Sequence, residues 1–242
     1  SNPPYDFNVL VDTARAGILI SNTTDAAAGS GQTTYNADGF RINAGYTAWN
    51  SSPNTYVSWT FRKQPKFFDV VTYTGNAATP RTITHSLGSV PGCIIVKKSS
   101  GTAEDWFVFH RSLGNTSTFA YFLNLNNTNA QDTGGYGMEK STSWTSTTFS
   151  LVSGGGSSLN ENGATYVAYL FAHNAGGFGL TGTDNVISCG SFTTDGSGNA
   201  TVSLGYEPQW VLIKRSDAAS SWFTIDNMRG FSQTQYAYLL PN

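Results

Sequence analysis

The chain has 242 residues, of which only 12% are Asp, Glu, Lys or Arg, for a net charge of −2, while aromatics reach 14% and glycines number 26. Soluble domains ordinarily carry about twice that share of charge, so a coiled coil, a helical bundle and a charged disordered tail are excluded, and the aromatics supply the bulk a core needs. The one basic cluster, Arg62, Lys63 and Lys66, is too small for a nucleic-acid or anionic-membrane footprint, and no run approaches the roughly 18 apolar residues of a membrane span.

In chain order, Ser1-Asn2-Pro3-Pro4 has neither the charged nor the apolar region of a signal peptide, and no initiator Met precedes it. A processed, tagged or excised chain is therefore expected. Residues 12–18 have room for one short helical turn, and Asn36-Ala37-Asp38-Gly39 reads as a turn. Tyr46 and Trp49 lie in a loop over residues 45–53. Residues 56–61 alternate, with Val57, Trp59 and Phe61 on one face, which predicts a strand. Residues 93–96, led by Pro91-Gly92, form a short apolar run suited to a strand buried on both faces. A polar loop with Glu104 and Asp105 follows, then Trp106-Phe107-Val108-Phe109, and Tyr136 sits in a loop over 134–138. Tyr166 opens another strand-like run, and Gly154-Gly155-Gly156, Gly176-Gly177 and Asp195-Gly196-Ser197-Gly198-Asn199 read as turns. Residues 210–213 and 222–225 complete the set of predicted strands. The expected fold is all-β, built of tandem antiparallel β-sandwich or jelly-roll-like units.

The chain repeats itself. Leu87-Gly88 through Pro91 to Lys97 matches Leu204-Gly205 through Pro208 to Lys214 at an offset of 117 residues (208 − 91), and Trp106-Phe107 matches Trp222-Phe223 at 116 (222 − 106). Ala120-Tyr121 likewise matches Ala237-Tyr238. A different pair of stretches also agrees: Phe40 and Tyr56 parallel Phe149 and Tyr166, at offsets of 109 and 110. The order is thus the second half of a unit (1–65), a complete unit (66–184) and the first half of another (185–242). The orphaned halves must bury their apolar strands against each other, a neighbouring chain or further sequence. A longer or swapped array is the favoured expectation over self-completion.

The sequence offers little chemistry. Neither a nucleophile elbow nor a P-loop occurs. Cys93 and Cys189 have no zinc-like spacing, and whether they are bridged stays open. His85 and His110 face Val202 and Asp226 in the second copy, so His85, His110 and His173 read as solvated or core-edge residues. A glycosidase pair needs two carboxylates in a cleft. Glu104 and Asp105 are the nominees, with Asp69, Asp195 and Asp226 as further acids; a solvated loop explains Glu104-Asp105 more simply, and a glycine turn explains Asp195. No metal or other cofactor is expected. Lys97, Lys214, Trp106 and Trp222 are repeated, which fits a role in the fold. Unrepeated loop aromatics, Tyr46, Trp49 and Tyr136, are the better candidates for meeting a sugar face or a protein partner.

Val71-Thr72-Tyr73-Thr74-Gly75-Asn76, His85 through Lys98, Trp106 through His110 and Ala164 through Tyr169 together resemble a repeated β-domain of uncharacterised function in virion proteins of marine bacteriophages. The resemblance covers most of residues 35–242. It departs at Cys189-Gly190-Ser191, where Tyr-Thr-Gly is usual, and at Val202 in place of the histidine. It implies a tail-fibre or appendage module on an extracellular particle, partnered by other copies, other virion proteins and host-surface glycan, with no catalytic residue to carry over. An extracellular lectin-like adhesin and a tailspike depolymerase are the alternatives.

Overall fold

The structure, a computed structural model, describes residues 8–43, 50–51, 53–152, 158–228 and 238–242. It is all-β and antiparallel, as the alternation of apolar and polar residues requires. The central sheet has five strands in the order β5 (Phe68–Thr74), β11 (Thr165–Phe171), β7 (Cys93–Lys98), β8 (Trp106–His110) and β9 (Phe122–Asn124). β11 and β7 read as continuous apolar runs because both of their faces are covered. On one face, Ile94, Val96, Phe107, Tyr166 and Leu170 pack against Ile83, Phe149 and Leu151 of a two-stranded layer, β6 (Arg81–Thr84) with β10 (Thr148–Leu151). The two layers pack face to face as a sandwich.

The opposite face, lined by Val70, Ile95, Trp106, Val108, Val167 and Tyr169, receives residues from both ends of the chain: Leu10 and Leu19 from the start, Leu212 and Trp222 from near the finish. Those ends form three further hairpins: β1 (Val9–Leu10) with β2 (Leu19–Ile20), β3 (Thr33–Asn36) with β4 (Gly39–Ile42), and β12 (Trp210–Lys214) with β13 (Trp222–Asp226). The predicted turn at 36–39 joins β3 to β4, with Asn36 paired to Gly39.

The duplication read from the sequence is reproduced in register. β7 pairs with β8 from Cys93↔His110 to Lys97↔Trp106, and β12 pairs with β13 from Trp210↔Asp226 to Lys214↔Trp222. Gly88 and Gly205 both take positive φ ahead of these strands. Pro91 is buried and Pro208 half-buried at the two hairpin entrances.

Residues 13–14 form a short turn within 12–18, and the one helical element among the described residues is the 3-10 turn Ser141–Ser143. One local expectation fails. Residues 56–61 are not a strand: they carry no ladder of their own, and Tyr56 and Val57 are half exposed. Alternation supplies a face, but a strand exists only where another strand takes up its amides and carbonyls.

Candidate functional site

The hydrogen bonds between hairpins define the most organised polar feature of the molecule. The Trp106 indole Nε1 donates to the Ile20 carbonyl at 3.0 Å, and the Trp222 Nε1 donates to the Asn124 carbonyl at 2.8 Å. The Trp106 amide donates to Asn126 Oδ1 and the Trp222 amide to Asn242 Oδ1, both at 2.8 Å. Glu104 N reaches the Thr24 carbonyl as Ser220 N reaches that of Thr128. Ala27 N bonds the Ser99 carbonyl as Gln131 N bonds that of Ser216. Residues 18–28 therefore dock on the β7–β8 hairpin as residues 122–132 dock on β12–β13.

A third copy of the contact closes the set. Leu10↔Leu19 in β1–β2 corresponds to Val108↔Leu123 and to the Thr224↔Leu239 bridge. In that register Asn8 occupies the tryptophan position, and its Nδ2 donates to the Leu240 carbonyl at 3.0 Å. Ser21 N bonds the Asn8 carbonyl just as Leu125 N bonds that of Trp106. The three strand pairs thus form a closed cycle, each donating to a neighbour's last strand. The sequence concealed this because Asn8 replaces tryptophan and the spacing between the paired strands differs.

Lys97 lies inside one junction, fully buried, with Nζ donating to the Thr24 and Glu104 carbonyls at 2.7 and 2.6 Å. Burial lowers its ammonium to about 8, against the opposing pull of Glu104, Asp105 and Asp25. Lys214 repeats the contact more loosely, reaching the Thr128 carbonyl at 3.3 Å. The predicted core role of Trp106 and Trp222 is met, since both are buried in the same cluster. Lys97, at the end of β7, is a buried clamp between two segments.

The other nominees separate. Tyr46 and Trp49 lie outside the described residues. Tyr136 is half-buried, its ring 4.8 Å from Phe122 and 5.6 Å from Phe107, so it packs on the core. Tyr166 is buried and stacks on Tyr73, whereas its counterpart Tyr56 is half exposed. Asp105 accepts from Asn126 Nδ2 at 2.7 Å, and the backbone of Glu104 serves the junction, so this pair holds loops together. Asp69 is buried, ion-paired with Lys63 and bonded to the Ser86 amide. Asp195 spends one oxygen on the Ser197 and Asn199 amides of its turn, and Asp226 is buried at the end of β13. Among the described residues no group of three or more His, Cys, Asp or Glu is placed to hold a metal. Cys93 and Cys189 are free thiols, and burial raises both, Cys189 to about 12.

The histidines sit at core edges. Burial first, then the like charges of Arg111 and His173, lowers His110 to about 4. A histidine that titrates near 6.5 when unfolded resists protonation in the fold. Its contribution to stability is thus full above pH 6.5 and is lost as the pH falls toward 4. About 3 kcal/mol should disappear across that window. Urea titrations at stepped pH should show the slope, and His110→Gln should flatten most of it. An unchanged slope would assign the effect to His85 and His173, which burial also lowers.

One open cleft of about 450 Å3 lies between the loop at Gly179, Thr183, Asp184 and Asn185 and the turn at Leu204 and Tyr206. The Tyr206 hydroxyl donates to Ser188 Oγ at 3.1 Å, which holds the ring in place. An aromatic ring beside an exposed carboxylate is the side-chain combination that meets the C–H face and hydroxyls of a sugar. The sequence reading passed over Tyr206 because it falls inside the repeated string.

No curated protein and no solved structure matches the chain. A family model described as a domain of unknown function, DUF7483, matches residues 5–242, and the chain belongs to that family.

Proposed function

We propose that the protein is a non-enzymatic structural module of a bacteriophage appendage, such as a tail fibre, that builds by repetition and presents its cleft to host-surface glycan. The observation that carries this reading is the cycle of docking bonds from Trp106, Trp222 and Asn8. These bonds lie within one chain and close on themselves, which gives a self-contained module of the kind that an appendage repeats. The virion setting rests on the strings around Tyr73, Pro91, Trp106 and Tyr166. A single cleft with one ring and one carboxylate offers weak contact, and copy number in the particle multiplies it.

Gold-labelled antibody against residues 66–184, applied to particles whose genome encodes the protein, should mark the appendages. Label confined to the bacterial envelope would overturn the virion assignment in favour of a cell-surface adhesin. Beads carrying many copies should be retained by host polysaccharide, and Tyr206→Ala should weaken retention at least tenfold without moving the melting temperature. Equal retention would remove the cleft from the proposal, and release of reducing ends would make the protein a depolymerase.

A further inference from the structure

The complete sheet is a template for a strand that the rest of the chain lacks. β7 has a partner on each edge, β11 and β8, whereas among the described residues its counterpart β12 has β13 alone. By the sequence match, the counterpart of β11 is the segment 56–61. β11 meets β7 with Phe171 opposite Cys93, Ala168 opposite Val96 and Tyr166 opposite Lys98. Carried over by the offsets of 110 and 117, that register sets Phe61 opposite Trp210, Ser58 opposite Ile213 and Tyr56 opposite Arg215.

Three observations agree with this register. The Phe61 and Trp210 rings already meet edge to face, with centroids 6.0 Å apart. Trp59 is half-buried while residues 56, 57, 58 and 60 are exposed, and Phe61, itself 37% exposed, sets its ring against Phe68 and Phe171 of the central sheet. The face bearing Trp59 and Phe61 thus points the way that Tyr169 and Phe171 point in β11. The turn before the segment is set as well: Ser51 N donates to the Tyr56 hydroxyl at 2.9 Å, and Glu161 N donates to that of Tyr166 at the same distance. What is missing is cover. Tyr56 is 50% and Val57 48% exposed where Tyr166 and Val167 are fully buried.

We infer that residues 56–61 add antiparallel to the free edge of β12, so that the two ends of the chain complete a second sheet in the order 56–61, β12, β13, 238–240. A free strand edge beside exposed apolar side chains is a template for uncontrolled pairing, and this addition removes it. The occupant is the chain's own segment, because the Phe61–Trp210 contact is already made within one chain.

The test uses the full chain carrying Ser58→Cys and Ile213→Cys, oxidised with diamide and mapped by peptide mass spectrometry. Most molecules should acquire a 58–213 link while remaining monomeric on a non-reducing gel. A link found only between chains would give the edge to a second copy and overturn the inference, as would no link at all. In the unaltered protein, the amides of residues 57–61 should exchange at least a thousandfold more slowly than random coil. Random-coil exchange would refute the pairing independently of the cysteines. Neither outcome depends on the glycan or virion reading.

Discussion

Trp106→Ala should cost about 4 to 5 kcal/mol, enough to leave a protein of ordinary stability barely folded. The side chain is fully buried, its ring stacks near Tyr169 with centroids 6.4 Å apart, and its indole satisfies the Ile20 carbonyl. Truncation opens a cavity at the centre of the inner face and also removes the shorter of that carbonyl's two bonds, leaving it only the Thr23 amide at 3.3 Å. Trp106→Phe separates the two effects, since the ring remains and the N–H is lost; about 1 to 2 kcal/mol is expected. Trp222→Ala should act locally: the β12–β13 hairpin exchanges its amides rapidly while the five-stranded sheet keeps its protection. Urea denaturation followed by circular dichroism gives the first two values and hydrogen exchange the third. A loss under about 2 kcal/mol for Trp106→Ala would mean the inner face repacks freely, and the junctions would then not hold the chain together.

What the sequence disclosed follows from how much of each unit is spelled out in bulky side chains. The Pro91-to-Trp106 string and its copy contain a proline, a lysine and a tryptophan at fixed places, and those positions specify one hairpin, so both copies were legible to the register. Residues 18–28 and 122–132 share only scattered small or common residues, Leu19/Leu123, Asn22/Asn126, Thr24/Thr128 and Ala26/Ala130, yet they dock alike because most of the contacts run through backbone groups of Thr24 and Thr128 and of Ile20 and Asn124. A carbonyl is the same in every residue, so sequence comparison has nothing to match there. Residues 56–61 present the opposite case: the side-chain pattern is right but carries no ladder among the described residues, because a strand is a property of two segments. The burial of Lys97 was not legible, because a lysine in isolation belongs in water and only the loop carbonyls of Thr24 and Glu104 make its burial tolerable. The cleft beside Tyr206 is formed by loop geometry between 179 and 206, which no local pattern encodes.

Asp12→Ala should be the most damaging change in the opening segment, at about 3 to 5 kcal/mol. Asp12 stands where His110 and Asp226 stand in the other two strand pairs, and it is used to pin the start of the chain to the central sheet. Its Oδ2 accepts from the Tyr169 hydroxyl at 2.8 Å and pairs with Arg15 Nε at 2.9 Å, with both charged side chains under 10% exposed. Its Oδ1 holds the Ala14 amide at 3.0 Å, and Arg15 Nη1 donates to the Gly17 carbonyl at 3.1 Å. Removing the carboxylate strands a guanidinium and a phenol, whose ionisation burial already opposes, in an apolar cluster. Asp12→Asn keeps an acceptor for Tyr169 and should cost less than the alanine change. Replacing both charges, Asp12→Leu with Arg15→Met, should cost less than Asp12→Ala alone, because no uncompensated charge remains. The coupling is read from a double-mutant cycle over Asp12 and Arg15 in urea. If the single and double losses simply add, the two residues act independently, and the N-terminal copy is held on the sheet by Leu10, Leu19 and the bonds made by residues 18–28.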